Sequence, residues 1–399
     1  MCADKEHEGI FITSNFQKRI YQDYIMKIGF DGKRAVCNNT GLGNYSRLVI
    51  DVLSEYYPDN EYRLYSPKIA DNARLSPLLE RSNVKLLAPK TATGRTFSGL
   101  WRISSGIVRD CAADGVELFH GLSNELPLAH IGVPAVVTIH DVIFLYYPHC
   151  YKAIDRKIYN YKFRKACERS SRIIAVSECT KKDIVKEYGV AAEKVDVVYQ
   201  GCDESFRRQC TPQEIADVRR RYKLPDGDYI LYVGTIEERK NALLAVKAMH
   251  SIPADVSLVL VGRETKYAQL IHEYVKKHNL EKRVHFRSIA FGDLPAAYQA
   301  ARAFTYPSRY EGFGIPILEA LCSRTPVVAT TGSCLEEAGG EAAIYVHPDD
   351  VDALSESLKR AMTDEDLRSR MIAEGLAHAA KFSRRTMASG IMDVYRKVL

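Results

Sequence analysis

Two carboxylates eight residues apart, Glu311 and Glu319, flank a glycine-bearing stretch in SRYEGFGIPILEALCSRTPVVAT, residues 308–330. The apolar run Ala303–Tyr306 leads into it, and Pro316 stands where a helix would open, a position proline favours. Gly312 and Gly314 let a ligand approach the backbone closely. Free N–H groups at Phe313, Gly314, Ile315 and Ile317 then converge on the helix start, a ready site for a diphosphate or a sugar phosphate. A carboxylate is a poor partner for phosphate but a good acceptor for sugar and ribose hydroxyls. The plainer alternative makes Glu319 an acidic side chain in the first helical turn, complementing the helix dipole.

A second group is cationic. In YVGTIEERKNALLAVKAM a strand ends at Val233, Gly234 follows, and Arg239 and Lys240 stand just before a helix from Asn241. Adjacent cations there can neutralise the charge that builds on a departing nucleoside diphosphate; elsewhere such a pair is ordinary solvated surface. In LVLVGRETKY, Gly262 and Arg263 lie at the C-terminal end of a strand, where open α/β sheets bind their ligands. Arg287–Ala290 follows strand Val284–Phe286. TGLGNYSR, residues 40–47, puts Gly41 and Gly43 before a helix. It is not a dinucleotide fingerprint, because the third glycine position is Ser46 and strand Lys27–Phe30 lies far off. TIHDV sets His140 and Asp141 at a strand end.

These residues need a frame. At ~150 residues per domain, 399 residues imply two or three domains, each with its own core. Short β-branched runs alternate with amphipathic stretches, the pattern of parallel strands joined by helices. Strands are expected at Lys27–Phe30, Tyr62–Tyr65, Val84–Leu87, Leu118–His120, Ala135–His140, Arg172–Val176 and Val195–Tyr199. Leu42, Tyr45, Val49, Val52, Leu53 and Tyr56 make one stripe of a helix over 41–56. Charges, Pro212, Pro225 and Gly227 mark 205–228 as a linker with a short helix. The alternation then restarts with strands at Tyr229–Val233, Ser257–Val261, Val284–Phe286, Ala303–Tyr306 and Pro326–Ala329.

With the motifs in this order, the chain resembles retaining glycosyltransferase family 4, and among its members the mannosyl-transferring ones. The resemblance rests on the Glu311/Glu319 pair with its GFGIP insert, on GTIEERKN, on LVLVGRETKY and on TGLGNYSR, and it runs from about Lys27 to Leu399. It implies the GT-B fold: two Rossmann-like α/β domains facing each other across a cleft, with a final helix crossing back. The expected division is an extension over 1–25, an acceptor-side domain over 26–208 completed by helix 383–399, and a donor-binding domain over 209–382. By the resemblance Glu311 contacts the donor sugar, Glu319 the ribose, and Phe313, Gly314 and Ile315 the sugar and diphosphate through their amides. Lys240, with Arg239 beside it, meets the leaving diphosphate, His140 reaches the transferred sugar, and Arg287–Ala290 meets the nucleotide base through backbone groups. His120 and Glu125 are further acceptor-side candidates. Many relatives carry an arginine where this chain has Thr235, so the cationic clamp is one charge short of that pattern.

The activity so implied is transfer of a hexose, with retention, from a nucleoside diphosphate sugar to a hydroxyl of a glycan or lipid-linked acceptor in polysaccharide synthesis. GDP-mannose is the donor expected first. No metal and no cofactor are implied. The alternatives are an epimerase or sugar-phosphate synthase on the same fold, or a non-catalytic sugar-nucleotide-binding protein. The last would keep Glu319 and the glycines but lose the cations and His140.

Net charge is +6, yet ten Lys/Arg fall between Lys152 and Lys182 against three acidic residues. That run reads as a solvated helix face or as a patch for anionic lipid or a phosphate-bearing substrate. It carries no nucleic-acid motif, and nucleic acid is not an expected partner. No uncharged apolar stretch is long enough for a spanning helix, and residues 1–25 lack the apolar block of a signal peptide. Ten cysteines without a C-x-x-C pair suit reduced, buried thiols better than disulfides or zinc. A cytoplasmic enzyme, peripheral at the inner face of the membrane, is the expectation.

Overall fold

A computed structural model describes residues 25–70 and 72–399, so the extension read over 1–25 lies, but for Ile25, outside the described residues. Thirteen strands form two parallel sheets among the described residues. The first comprises β1 (Lys27–Asp31), β2 (Glu61–Tyr65), β3 (Val84–Leu87), β4 (Leu118–Gly121), β5 (Ala135–Ile139), β6 (Arg172–Ala175) and β7 (Val195–Val197), in the order 3-2-1-4-5-6-7. The second comprises β8 (Tyr229–Val233), β9 (Ser257–Val261), β10 (Val284–Arg287), β11 (Ala303–Tyr306), β12 (Val327–Thr330) and β13 (Ile344–Val346), in the order 10-9-8-11-12-13. In each half the order reverses at one point, and the strand ends there leave a crevice for ligands. Runs such as AVVTI in β5 are buried along their whole length, as parallel strands covered by helices on both faces must be. β13 was not anticipated; IYV is too short to show a period.

The halves are tied by more than the linker. Thr211 and Glu214 close a capping box on helix Pro212–Tyr222, satisfying two otherwise orphaned N–H groups. The final helix, Arg384–Arg396, returns to the first half and packs on helix Gly41–Tyr56, as the resemblance implies. Its Ile391, Met392 and Tyr395 are buried. Arg384 bonds Asp51 at 2.8 Å and Glu55.

Tyr395 also decides the fate of His120. The ring Nδ1 of His120 meets the Tyr395 hydroxyl at 2.7 Å and its Nε2 meets Thr138 at 2.9 Å. Burial pushes its pKa down to about 3. His120 is thus a neutral, saturated core residue and drops out as an acceptor-side candidate.

Candidate active site

A cavity of about 880 Å³ opens between the C-terminal ends of the two sheets. Lys240, Glu311, Glu319, Gly314 and Ile315 line it from the second half, and His140 and Gly41 from the first. Gly41 and Glu319, 278 positions apart in the sequence, thus face one space.

Glu311 sits on the turn after β11, and four donors converge on its Oε1. Lys240 Nζ and Arg239 Nη1 approach to 2.9 Å, the Tyr306 hydroxyl to 3.0 Å and the Ser308 hydroxyl to 2.7 Å. Burial alone would raise this carboxyl, but the two cations overcome it and hold the pKa at about 2. Glu311 is therefore a fixed anion. Its Oε2 takes none of these four bonds.

The two cations do different things. Lys240 lines the cavity and also bonds the Tyr306 hydroxyl at 2.7 Å. Arg239 does not line it. Its guanidinium is buried and spent on Glu237 at 2.7 Å, on Glu311 and on the Tyr310 carbonyl. Arg239 builds the wall that Lys240 and Glu311 stand on.

The loop after Glu311 behaves as its glycines require. Gly314 has φ +113°, a left-handed value that disfavours any β-carbon, and one built there would press on Leu335 at 3.0 Å. The Phe313 ring is buried against Tyr199 and Phe382, with centroids 5.6 and 5.5 Å away. Among the described residues no acceptor takes the N–H groups of Phe313, Gly314 or Ile315. Ile317 differs from expectation. Its N–H closes a tight turn onto the Gly314 carbonyl at 2.9 Å, so it is spent. Glu319 also differs, because the helix begins at Ile315 and places it beyond the first turn. The dipole explanation therefore fails. Its Oε2 accepts the Tyr298 hydroxyl at 2.9 Å, and burial lifts its pKa to about 8.

From the first half, His140 donates Nε2–H to the Leu122 carbonyl at 2.9 Å, a bond that leaves Nδ1 as an acceptor. Burial drops its pKa to about 4. Such a ring accepts a hydroxyl hydrogen bond but is a weak base. Asp141 turns back to cap the following turn, accepting the Ile143 N–H at 3.1 Å. Gly41 is open to the cavity, whereas Gly43 is not. A β-carbon at Gly43 would lie 1.8 Å from the Asn38 carbonyl oxygen. That glycine serves the packing of its own loop.

Arg47, the last residue of TGLGNYSR, was passed over in the sequence, yet it lines the cavity beside Arg74. Among the described residues its guanidinium reaches neutral acceptors, the carbonyls of Ala35 and Asn38 at 2.8 Å and the Asn44 amide oxygen at 2.6 Å. Burial and Arg74 depress it to about 10. Among the described residues no carboxylate forms an ion pair with Arg47 or Arg74, and both cations face the cavity. Gly262 and Arg263 line a second recess of about 540 Å³ with Arg287, Ser288 and Ile289, at the ends of β9 and β10. Gly262 is obligatory there, since a β-carbon would meet the Gly234 carbonyl at 1.9 Å.

Across the cleft the halves touch directly. The Glu337 carboxylate accepts the N–H groups of Glu178 and Cys179 at 2.7 and 2.8 Å, capping helix Glu178–Tyr188 from the opposite half. Tyr310 bonds Asp183. Part of the basic run, from Arg156 to Arg169, lies on helix Ala153–Arg169, apolar on two sides, while Arg172 falls on β6 and Lys181 and Lys182 on helix Glu178–Tyr188. Phe163, Ala166 and Cys167 face inward, while Ile154, Ile158 and Tyr161 are exposed beside Lys157 and Arg164. No helix among the described residues is long and apolar enough to cross a membrane.

Residues 52–206 match the model of Glycosyltransferase Family 4, and residues 215–378 that of Glycosyl transferases group 1. The O-antigen chain mannosyltransferase B of Escherichia coli is 30% identical over 285 residues, covering 70% of this chain and 74% of that protein. The O-antigen chain mannosyltransferase RfbU of Salmonella typhimurium is 29% identical, covering 59% of this chain and 62% of its own length. Among solved structures, Anabaena HepE in complex with UDP-glucose superposes with a TM-score of 0.74 at 19% identity, covering 93% of this chain and 100% of that one.

Proposed function

This chain belongs to glycosyltransferase family 4, and from that premise we propose that it moves mannose from GDP-mannose to a hydroxyl of a glycan or lipid-linked acceptor, with retention at the sugar carbon. The observation that carries the reading is the convergence of Lys240 and the unspent amides of Phe313, Gly314 and Ile315 on one cavity beside Glu311. A diphosphate bound there meets fixed donors in place of water, so charge developing on the leaving group is stabilised without reorganisation. Arg47 and Arg74 supply positive charge from the opposite wall, which offsets the arginine missing at position 235.

In this mechanism Glu311 Oε2 and His140 Nδ1 hold sugar hydroxyls, and Glu319 takes the ribose diol. The recess at Gly262, Arg263 and Arg287–Ile289 takes the base. The acceptor oxygen attacks the anomeric carbon from the face the diphosphate leaves, through an oxocarbenium-like state, and the departing phosphate oxygen takes the acceptor's proton. No protein nucleophile is needed, and Glu311 suits that role poorly because Oε1 is held by four donors. The reaction as read is metal-independent, because Lys240 and the loop amides supply the charge a metal would. Mannose is favoured by the O-antigen mannosyltransferases among the relatives. The exposed apolar stripe and cations of helix Ala153–Arg169 favour an enzyme working at an anionic membrane surface.

The test is a screen of GDP-, UDP- and ADP-sugars by thermal shift and by transfer in the presence of EDTA, with the anomeric configuration of the product read by NMR. Stabilisation and α-linked transfer with GDP-mannose are expected. Preference for another donor, an inverted product or loss with chelator would overturn the corresponding part.

A further inference from the structure

Where the two halves meet, His149, Cys150 and Glu238 bring one ligand atom each to within 4.8 Å of one another. The first two lie on the turn Pro148–Cys150 of the first half, and Glu238 opens the turn Glu238–Lys240 of the second. His149 Nε2 already stands 3.7 Å from Glu238 Oε1. Nothing in the chemistry of sugar transfer uses these three. All are exposed, and neither the sulfur nor the imidazole makes a hydrogen bond among the described residues; the sulfur feels the charges of Glu238, Glu237 and Arg239, and the His149 ring meets Tyr147 at 6.0 Å.

We propose that His149, Cys150 and Glu238 form a site for a borderline-soft divalent cation, Zn²⁺ above all, bound across the two halves. The donor set is one imidazole nitrogen, one thiolate and one carboxylate oxygen, which suits tetrahedral zinc and leaves the fourth position to water. Bonds of about 2.0 Å to nitrogen and oxygen and about 2.3 Å to sulfur put tetrahedral ligand atoms roughly 3.5 Å apart. The His149–Glu238 separation already meets that, and the sulfur closes the rest by a rotation at an exposed side chain. The thiol proton leaves to solvent as the metal–sulfur bond forms.

The placement gives the site a consequence. Glu238 is two residues from Lys240, and a metal spanning the halves ties that turn to the first half. Release of product and entry of donor need the halves to part. Occupied, the site is a brake, distinct from the reaction's own chemistry.

The test uses the full chain, freed of metal. Titration with Zn²⁺ by calorimetry is expected to show one equivalent at micromolar affinity, and Co²⁺ a thiolate-to-metal charge-transfer band. Cys150→Ser and His149→Ala abolish the band and weaken zinc binding at least tenfold, while circular dichroism shows them folded. Zinc slows transfer by the native chain and leaves Cys150→Ser unaffected. Native-like zinc binding in both variants, or none to the unaltered chain, overturns the site. Equal inhibition of the native chain and Cys150→Ser overturns the brake. The binding readouts stand apart from sugar transfer, so loss of the donor assignment would leave them intact.

Discussion

Gly312 and His140 come so close across the cleft that a β-carbon on the glycine would lie 2.0 Å from the histidine's carbonyl oxygen. The Gly312 carbonyl in turn accepts the Ser177 hydroxyl at 2.7 Å and that of Thr180 at 3.2 Å. The loop bearing Glu311 is therefore docked on the half that bears His140, and only a residue without a side chain permits it. Gly312→Ala should wedge the halves apart by backbone contact that no rotamer can relieve. Transfer is expected to fall by at least tenfold in kcat/KM. Binding of the nucleoside diphosphate, whose direct donors come from the second half, should change by less than transfer does. Native transfer rates in Gly312→Ala would show that this docking is dispensable.

Removing Glu311 does two things at once, and a pair of substitutions separates them. Glu311→Ala leaves Lys240, 15% exposed, without its paired carboxylate, and Arg239, 10% exposed, with Glu237 alone. Breaking a buried pair in this way costs about 3–5 kcal/mol, so the melting temperature should drop by several degrees. Glu311→Gln keeps an oxygen for the Tyr306 and Ser308 hydroxyls and should melt closer to the native chain. Both should lose transfer by about a hundredfold or more if Glu311 grips the reacting sugar. A Gln variant with native turnover would reduce Glu311 to a structural counter-ion.

Much of this frame was legible in the sequence. Strands β3, β8, β9 and β11 and helix Gly41–Tyr56 have the bounds that periodicity assigns them, because buried parallel strands and amphipathic helices each leave a strong local pattern. What stayed hidden depends on atoms brought together from far along the chain. RK at 239–240 looks like two equivalent cations. Only the fold shows that Arg239 meets Glu237 and the Tyr310 carbonyl while Lys240 faces the cavity. Gly43 looked like a ligand-approach glycine, but the Asn38 carbonyl accounts for it. Cys150 and Cys37 were expected buried and are exposed, since a single cysteine in a polar turn carries no periodic signal. Arg47 stands in TGLGNYSR, and that it faces the cavity while bonding the neutral acceptors of Asn38, Asn44 and Ala35 emerges only from the fold.

Helix Ala153–Arg169 offers a test of membrane contact sharper than the basic run alone. Lys162 bonds Glu125 at 3.0 Å and Lys165 bonds Glu168 at 2.7 Å, so neither is the place to look. Ile154, Ile158 and Tyr161 are the exposed apolar stripe, 62%, 44% and 55% accessible. Burying such side chains in an interface is worth about 1–2 kcal/mol each. Ile154→Glu with Ile158→Glu should lower partitioning onto vesicles containing phosphatidylglycerol by at least tenfold, with transfer to a soluble acceptor unchanged. Unaltered sedimentation with vesicles would make the stripe ordinary surface.

Glu319 ties nucleotide affinity and stability to pH with opposite signs. Burial raises its carboxyl from the usual 4.5 to about 8, so near neutral pH the folded, empty protein holds the proton that the unfolded chain has given up. Between about pH 4.5 and 8 the native state therefore binds more protons, and its stability falls as pH rises through that window. A ribose diol changes the preference, because two hydroxyls donate best to a carboxylate. Nucleotide binding expels the proton and should strengthen as pH climbs, up to tenfold per unit below pH 8, and then level off. Calorimetry of nucleoside diphosphate binding from pH 6 to 9 reads the slope, and proton release into buffers of different ionisation enthalpy reads its origin. Glu319→Gln cannot titrate, so both the slope and the release should vanish in it, and its melting temperature should no longer decline over that range on this group's account. A pH-independent affinity in the native chain would mean that the Tyr298 hydroxyl, at 2.9 Å from the carboxylate, keeps Glu319 for the core and the ribose is held elsewhere.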